Sequence, residues 1–254
     1  MYKPVVIIGV GEMGGVFARG ILRSGYPLYP VTRAMDPMTV AAAVPKPEFV
    51  LVAVAEQDLH ATLANIPPAW RDRLVLLQNE LLPRDWRDYP FTDPTVISVW
   101  FEKKRGQDTK VLLPSPVHGP HAQAIQEALG QLDIPCRVVD SDAAMEYELL
   151  RKNVYILTTN IAGLESGGTV NELWRDHEAL ARAVADEVMQ VQATLVDHPL
   201  PHARLLEGML EAFDGDPEHK CTGRSAPARL KRALAQADAA GLQVPTLRQL
   251  GTTL

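Results

Sequence analysis

The stretch VVIIGVGEMGG, residues 5–15, places four glycines after a continuous apolar run. Such a run is typical of a strand buried on both faces of a sheet, and we expect the strand over residues 3–10. Gly9, Gly11 and Gly14 follow in the pattern G-x-G-x-x-G and open a helical segment. In this context the pattern is typical of dinucleotide binding, because the glycines permit a tight turn, close approach of a pyrophosphate and close packing of helix on strand. A glycine-rich turn without a ligand is the alternative.

The first half of the chain alternates short β-rich runs with helical patterns. This alternation predicts an α/β fold with a Rossmann-type, parallel, doubly wound sheet. The expected strands are 3–10, 27–32, 48–55, 73–79, 95–101, 110–115 and 135–140, and the expected helices are 13–23, 58–65 and 121–132.

The second half has a different character, with helical blocks separated by segments rich in glycine, proline and aspartate. The blocks are 142–165, 174–197, 201–213 and 225–240, and no segment after residue 142 has a strand pattern. We therefore expect a Rossmann domain over residues 1–140 and a smaller all-α domain over 141–254. The helical domain would bind the substrate, and a homodimer through it is left open.

Composition narrows the class of protein. The chain has 254 residues and a net charge of −6, which gives no reason to expect a nucleic-acid partner. The basic run at 103–105 is interpreted as a solvated turn. No apolar stretch is long enough to span a membrane, and the N-terminus lacks a signal-peptide pattern, so we expect a cytoplasmic protein.

Cysteine and histidine spacing predicts no metal site. Cys136 and Cys221 have no metal-ligand spacing and are interpreted as small apolar fillers. His118 and His121 are three residues apart but have no carboxylate or cysteine close in sequence, so loop or capping roles are favoured.

The end of the second strand indicates which dinucleotide is bound. Thr32 and Arg33 stand where an NAD-binding protein usually has a carboxylate, and the first acid is Asp36. An arginine matches the charge and geometry of the 2′-phosphate, so NADPH is the favoured cofactor over NADH. A surface arginine without a ligand is the alternative, and FAD is less favoured because no second flavin-binding segment is present. The turn residues Glu12 and Met13, and Val54 and Ala55 at the end of the third strand, complete the predicted cofactor site.

The segment LLRKNVYILTTNIAGL, residues 149–164, is a mostly apolar helix that nevertheless carries Lys152, Asn153 and Asn160. Polar groups are costly to bury without partners, so a polar face on a substrate cleft would explain them. Lys152 shares a helix face with residues 155 and 159. The alternative is that Lys152 reaches solvent or an exposed Glu148 one turn earlier, and that Asn160 bonds a neighbouring loop.

In these motifs the chain resembles the ketopantoate reductase family over nearly its whole length. The matching segments are the glycines at 9–14, LLQNEL at 76–81, RKNVYILTTN at 151–160, GGTVNELW at 167–174 and AQADAAGLQVP at 235–245. The resemblance implies NADPH as cofactor and a small-molecule carbonyl substrate such as a 2-keto acid. It also implies that Lys152 donates a proton to the carbonyl oxygen, that Asn79 near the nicotinamide helps position this lysine, and that Asn160 binds substrate.

The chain departs from the family pattern at several positions. Ile156 replaces the first helix asparagine, Glu80 replaces a glycine, Ala55 and Glu56 stand where the family often has a lysine, and Ser225 falls near the substrate glutamate. Arg224 and Ser225 either receive a different anionic substrate or cap the last long helix, where serine is a good N-cap.

These departures leave more than one function open. The first is an NADPH-dependent reductase of a small 2-keto acid or related carbonyl compound. The alternative is a catalytically silent NADP(H)-binding sensor or interaction protein. A third candidate is an imine or hydroxy-acid dehydrogenase of the broader group that shares this two-domain plan.

Overall fold

The computed structural model describes residues 2–252, which pack as two compact units divided between Leu149 and Leu150. The N-terminal unit is built on a seven-stranded sheet with the order β2-β1-β3-β4-β5-β8-β9. The sheet strands are β1 (Val5–Ile8), β2 (Leu28–Val31), β3 (Val50–Val52), β4 (Leu74–Leu76), β5 (Thr95–Ile97), β8 (Ser115–His118) and β9 (Cys136–Val138). A separate two-stranded hairpin consists of β6 (Phe101–Glu102) and β7 (Lys110–Val111).

The central strands form because their residues are apolar on both faces of the sheet. All residues of β1, β3 and β4 are buried, as expected of strands covered by helices on both sides. Proline at position 30 is accommodated because β2 lies at the edge of the sheet. Within the seven-stranded sheet, all pairs are parallel except β5 with β8.

Helices cover this sheet, and α1 and α5 pack closely against each other. The helices of the N-terminal unit are α1 (Glu12–Arg23), α2 (Pro37–Ala43), α3 (Leu59–Ala64), α4 (Arg84–Arg87) and α5 (Ala122–Gly130). A Cβ atom at Gly20 would lie 2.2 Å from the carbonyl oxygen of Ala128, so only glycine permits this approach. Phe17 and Ile21 of α1 and Ile125 of α5 are fully buried in the core.

The expected strand at 110–115 is wrong. Lys110–Val111 pairs with Phe101–Glu102 in the separate hairpin, and the main sheet instead takes Ser115–His118. The expected strand at 95–101 is therefore two strands, β5 and β6. Pro116 lies inside β8, and proline in an apparently central strand argues against that assignment from sequence alone.

The described part of the C-terminal unit, residues 150–252, is helical, and its only β feature is an isolated bridge between Thr169 and Lys220. Its helices are α6 (Asp142–Ser166), which begins in the N-terminal unit, α7 (Val170–Asp176), α8 (Glu178–Ala193), α9 (His202–Gly215), α10 (Ala226–Ala239) and α11 (Pro245–Gly251).

The expected single helix at 174–197 is wrong, because the chain breaks at His177 into α7 and α8. Thr169 and Glu172 form a reciprocal capping box that starts α7 earlier than expected. The last helix is held by Glu187, whose buried carboxylate accepts hydrogen bonds from the backbone N–H groups of Thr246 and Leu247 at 2.9 and 2.8 Å.

Candidate cofactor and catalytic site

The glycine turn after β1 is fixed by close backbone packing. Gly9 has φ +91°, and a Cβ there would lie 2.7 Å from the carbonyl oxygen of Ala53. A Cβ at Gly14 would lie 2.2 Å from the carbonyl oxygen of Gly9. Both positions therefore require glycine for the turn itself and for the packing of α1 on the strand.

Gly11 has a different environment. Among residues 2–252, no atom beyond its chain neighbours lies within 4 Å of where its Cβ would stand. Gly11 is the N-cap of α1, a twelve-residue helix, and Glu12 and Met13 form the first turn. Open space beside a helix N-terminus, with its free N–H groups and partial positive charge, fits a phosphate group.

This turn lies at the topological switch point of the sheet. β1 lies between β2 and β3, so the connection from β1 to β2 runs to one side of β1 and the connection from β2 to β3 crosses to the other side. Ligands of open α/β sheets bind outside the carboxyl ends of the strands at such a point. The residues that follow β3, Val54 and Ala55, are half-buried and exposed respectively, and a Cβ at Gly9 would lie 3.2 Å from the Val54 side chain. The predicted glycine and β3 residues therefore come together.

A cavity of about 280 Å³ lies along the exposed side of α1 and includes two basic residues that the sequence pattern does not single out. Arg19 and Lys103 line it together with Gly11, Glu12 and Gly15. Lys103 also donates hydrogen bonds to the carbonyl oxygens of Lys104 and Gln107. The interpretation of residues 103–105 as a solvated turn therefore does not describe Lys103 fully, because it also lines this cavity.

At the end of β2, Thr32 and Arg33 are exposed. The Arg33 guanidinium lies 3.3 Å from the carboxylate of Asp58, which precedes α3. Asp36 is used differently: its carboxylate caps α2 by accepting from the backbone N–H groups of Met38 and Thr39, both at 3.1 Å. The pKa of Asp36 is lowered, chiefly by the hydrogen bond from the Thr39 hydroxyl.

At the end of β4, Gln78 holds two strand ends together. Its buried amide nitrogen donates to the carbonyl oxygens of Val52 at 2.7 Å and Val54 at 3.4 Å. Asn79, the residue predicted to lie near the nicotinamide, follows and is half-buried. Glu80 has φ +61°, a left-handed conformation that favours glycine. A glycine, which the family pattern has at this position, would adopt this conformation without steric cost.

The polar residues of α6 have several distinct environments. The Asn153 amide nitrogen donates to the Gln192 side-chain oxygen at 3.0 Å, and Arg151 donates to the Gly208 carbonyl oxygen at 2.9 Å. These two residues join α6 to α8 and α9 and need no ligand to explain their burial. Lys152 is half-buried. Glu148 is only 6% exposed and accepts from Arg137, so the expectation of an exposed Glu148 is wrong.

Asn160 is 7% exposed and participates in a network within the C-terminal unit. Its amide nitrogen donates to the Cys221 carbonyl oxygen at 3.1 Å, and its oxygen accepts from the Arg229 guanidinium at 2.6 Å. Arg229 is a buried cation that the sequence pattern does not identify. Burial raises the pKa of the Cys221 thiol to about 11, so it stays protonated at neutral pH, consistent with a filler role. The role of Asn160 in substrate binding remains a prediction.

Ser225 is exposed and stands at the N-cap position of α10, but its hydroxyl accepts no hydrogen bond from the described N–H groups of that helix. Its carbonyl oxygen accepts from the Arg229 N–H at 2.9 Å. The expected side-chain cap is therefore wrong, because Ser225 has φ −85° and ψ −10° rather than the extended backbone of a capping residue.

The histidines have structural partners. His118 lies 2.8 Å from the Val139 carbonyl oxygen and 3.2 Å from the Asp142 carboxylate, and the ring of His121 packs against Phe49. Over residues 2–252 there is no group of three or more metal-binding side chains and no helix long and apolar enough to cross a membrane.

Replacing Glu80 tests whether its backbone conformation is strained. Glu80→Gly and Glu80→Ala both remove the side-chain contacts, but only glycine adopts positive φ without steric cost. We expect the glycine variant to be more stable than the alanine variant by about 1 kcal/mol in urea unfolding. Equal stability of the two variants would contradict a strained turn.

Replacing Gly11 tests whether its open side is a phosphate site. Gly11→Ala has room for its methyl group, so we expect folding stability within about 1 kcal/mol of the unaltered chain. Because the methyl group would fill the space beside the α1 N-terminus, we expect NADPH affinity measured by calorimetry to fall at least roughly tenfold.

Gly130→Ala, at the end of α5, is the matched control, since the described chain leaves open space there too. Its NADPH affinity should remain unchanged. A Gly11→Ala variant that binds NADPH as well as this control would exclude the glycine turn as the phosphate site.

Comparison with known proteins gives matches only at the level of structure. No family model and no curated protein matches the sequence. The PanE/ApbA family ketopantoate reductase of Ralstonia eutropha is 17% identical, with a TM-score of 0.68 over 98% of this chain and 96% of that chain. The dimeric ketopantoate reductase of Staphylococcus aureus is 15% identical, with a TM-score of 0.62 over 98% and 96%.

D-mandelate dehydrogenase in complex with NADH also matches, at 12% identity and a TM-score of 0.70 over 98% of this chain and 96% of that chain. At these identities the likeness establishes the fold. The resemblance seen in the sequence motifs is thus confirmed at this level: the chain has the fold of the ketopantoate reductases over nearly its whole length.

Proposed function

We propose that this protein is an NADPH-dependent reductase of a small 2-keto acid or a related carbonyl compound. The observation that carries the proposal is the glycine turn, where Gly9 and Gly14 are fixed by packing and Gly11 is open beside the N-terminus of α1. The fold supports a nicotinamide cofactor, since its structural neighbours include reductases and a dehydrogenase with NADH. D-Mandelate is a 2-hydroxy acid, the reduced form of a 2-keto acid, which agrees with this substrate class.

The charge at the end of β2 supports NADPH as the preferred cofactor. Arg33 is 90% exposed, so its guanidinium is accessible to a 2′-phosphate. The residue that would compete for the role of ribose ligand, Asp36, already caps α2 with both carboxylate oxygens. We assign Thr32 to the same ribose site, and Glu12, Met13, Val54 and Ala55 to the cofactor contacts around the turn.

The chemistry requires a proton donor as well as a hydride. NADPH, when bound, supplies the hydride to the carbonyl carbon. Negative charge then develops on the carbonyl oxygen, and the ammonium of Lys152 stabilises it and transfers a proton, which leaves the alcohol and a neutral amine. The family resemblance assigns to Asn79 the positioning of Lys152, and solvent returns the proton to the amine.

Asn160 and Ser225 are assigned to substrate binding in this proposal. Asn160 is held by Arg229 and the Cys221 carbonyl oxygen, so its amide plane has a fixed orientation. Ile156, Glu80 and Ser225 differ from the family pattern, and we infer that the preferred keto acid differs from ketopantoate. We assign residues 1–140 to cofactor binding and 141–254 to substrate binding and a homodimer contact, in a cytoplasmic enzyme.

A catalytically silent NADP(H) sensor is the second candidate. Two departures favour it: Ser225 falls near the family's substrate glutamate, and Ala55 and Glu56 stand where the family often has a lysine. Lys152 favours the enzyme, since nucleotide binding alone requires no half-buried lysine on a helix of the other unit.

NADPH oxidation against a panel of 2-keto acids tests the proposal, with Lys152→Ala as the diagnostic variant. We expect turnover with at least one keto acid. Without the proton donor, kcat should fall roughly 10²- to 10⁴-fold while NADPH affinity stays within about threefold. Lys152→Arg is the matched control for charge, and it should bind NADPH normally but remain a poor proton donor.

Tight NADPH binding without turnover of any keto acid would support the sensor. Full activity of Lys152→Ala would remove the proposed proton donor.

A further inference from the structure

Arg33 and Asp58 form an ion pair between the segments that follow β2 and β3. Asp58 ends a short 3₁₀ turn, Glu56–Asp58, that runs directly into α3, and its helical backbone (φ −95°, ψ −5°) is not the extended backbone of a capping residue. Its carboxylate accepts no hydrogen bond from the described N–H groups of α3 and lies 3.3 Å from the Arg33 guanidinium instead. The side chain is therefore directed towards the end of β2 rather than its own helix.

Stability does not explain this orientation. The two side chains are 90% and 41% exposed, and an exposed ion pair contributes little to folding. The orientation instead places a carboxylate beside the cation that would recognise a 2′-phosphate.

The topology places the pair across the cofactor crevice. Arg33 follows β2 and Asp58 follows β3, and these strands flank β1 on its two sides. Neighbouring strands lie about 4.8 Å apart, so the pair spans the carboxyl end of β1, where the glycine turn begins. An adenosine ribose bound at the end of β2 would have both side chains within reach.

We propose that Asp58 is a specificity-determining residue that reduces the preference of this site for NADPH over NADH. This inference rests on the proposed function. In the free protein Asp58 is already a partner of Arg33, so a 2′-phosphate must displace it. The carboxylate also repels the phosphate, whereas with NADH it can accept a hydrogen bond from the 2′-hydroxyl group. The site therefore binds both nucleotides, with a smaller preference than Arg33 alone would give.

Dissociation constants of the Asp58→Asn variant for NADPH and NADH test this inference. Removing one charge next to a phosphate at the protein surface should tighten NADPH binding by roughly five- to twentyfold. NADH binding should stay within about threefold, because the asparagine oxygen still accepts a hydrogen bond. Asp58 makes no cap hydrogen bond with the described residues of α3, so the variant should fold normally.

Two controls separate this effect from general electrostatics. Asp186→Asn removes an exposed carboxylate of α8 in the other unit and should leave the NADPH-to-NADH affinity ratio unchanged. The fragments 2′,5′-ADP and 5′-ADP isolate the ribose phosphate, and Asp58→Asn should tighten only the first. Arg33→Gln should weaken NADPH binding by at least roughly tenfold and leave the NADH affinity within about threefold of that of the unaltered protein.

One result would overturn the role of Asp58 and leave the proposed function intact. In that result both nucleotides bind and Arg33→Gln weakens NADPH binding, but the NADPH-to-NADH affinity ratio of Asp58→Asn stays within twofold of the ratio for the unaltered protein. If the unaltered protein bound neither nucleotide, the proposed function and this inference would both be overturned.

Discussion

The contact between Gly14 and Gly9 is the constraint on which the candidate site depends. A Cβ atom at position 14 would lie 2.2 Å from the Gly9 carbonyl oxygen, so helix α1 can approach the end of β1 only because glycine stands there. This approach sets the free N–H groups of α1 at the carboxyl end of β1, beside the switch point of the sheet. The same packing leaves Gly11 open, and the two features together give the turn a backbone geometry that suits an anion.

Much of the fold could be predicted because its elements have local signals. β1, β3 and β4 are continuous apolar runs, and this pattern is dictated by burial on both faces. β8 could not be predicted in the same way, because Pro116 interrupts its pattern and its pairing with β5 is set by tertiary contacts. The start of α7 had a usable signal in Thr169 and Glu172, the capping box, whereas the break at His177 had none.

The candidate site also contains some residues that local sequence predicts and others that it does not. The glycines and Arg33 could be predicted as candidate cofactor residues from sequence, because that prediction follows from their positions relative to β1 and β2. Asp58 could not, because it reaches Arg33 from another element 25 residues away, and the same holds for Arg229, which reaches Asn160 across 69 residues. The burial of polar residues in α6 is likewise explained by partners distant in sequence, such as Gln192 for Asn153.

A crystal structure of the protein with NADP⁺ tests the central claim most directly, because it locates the pyrophosphate. The account predicts pyrophosphate oxygens within hydrogen-bonding distance of the backbone N–H groups at Gly11–Met13, and the 2′-phosphate beside Arg33. Density for the nucleotide at any other place in the sheet, with the space beside Gly11 filled by solvent, would contradict it.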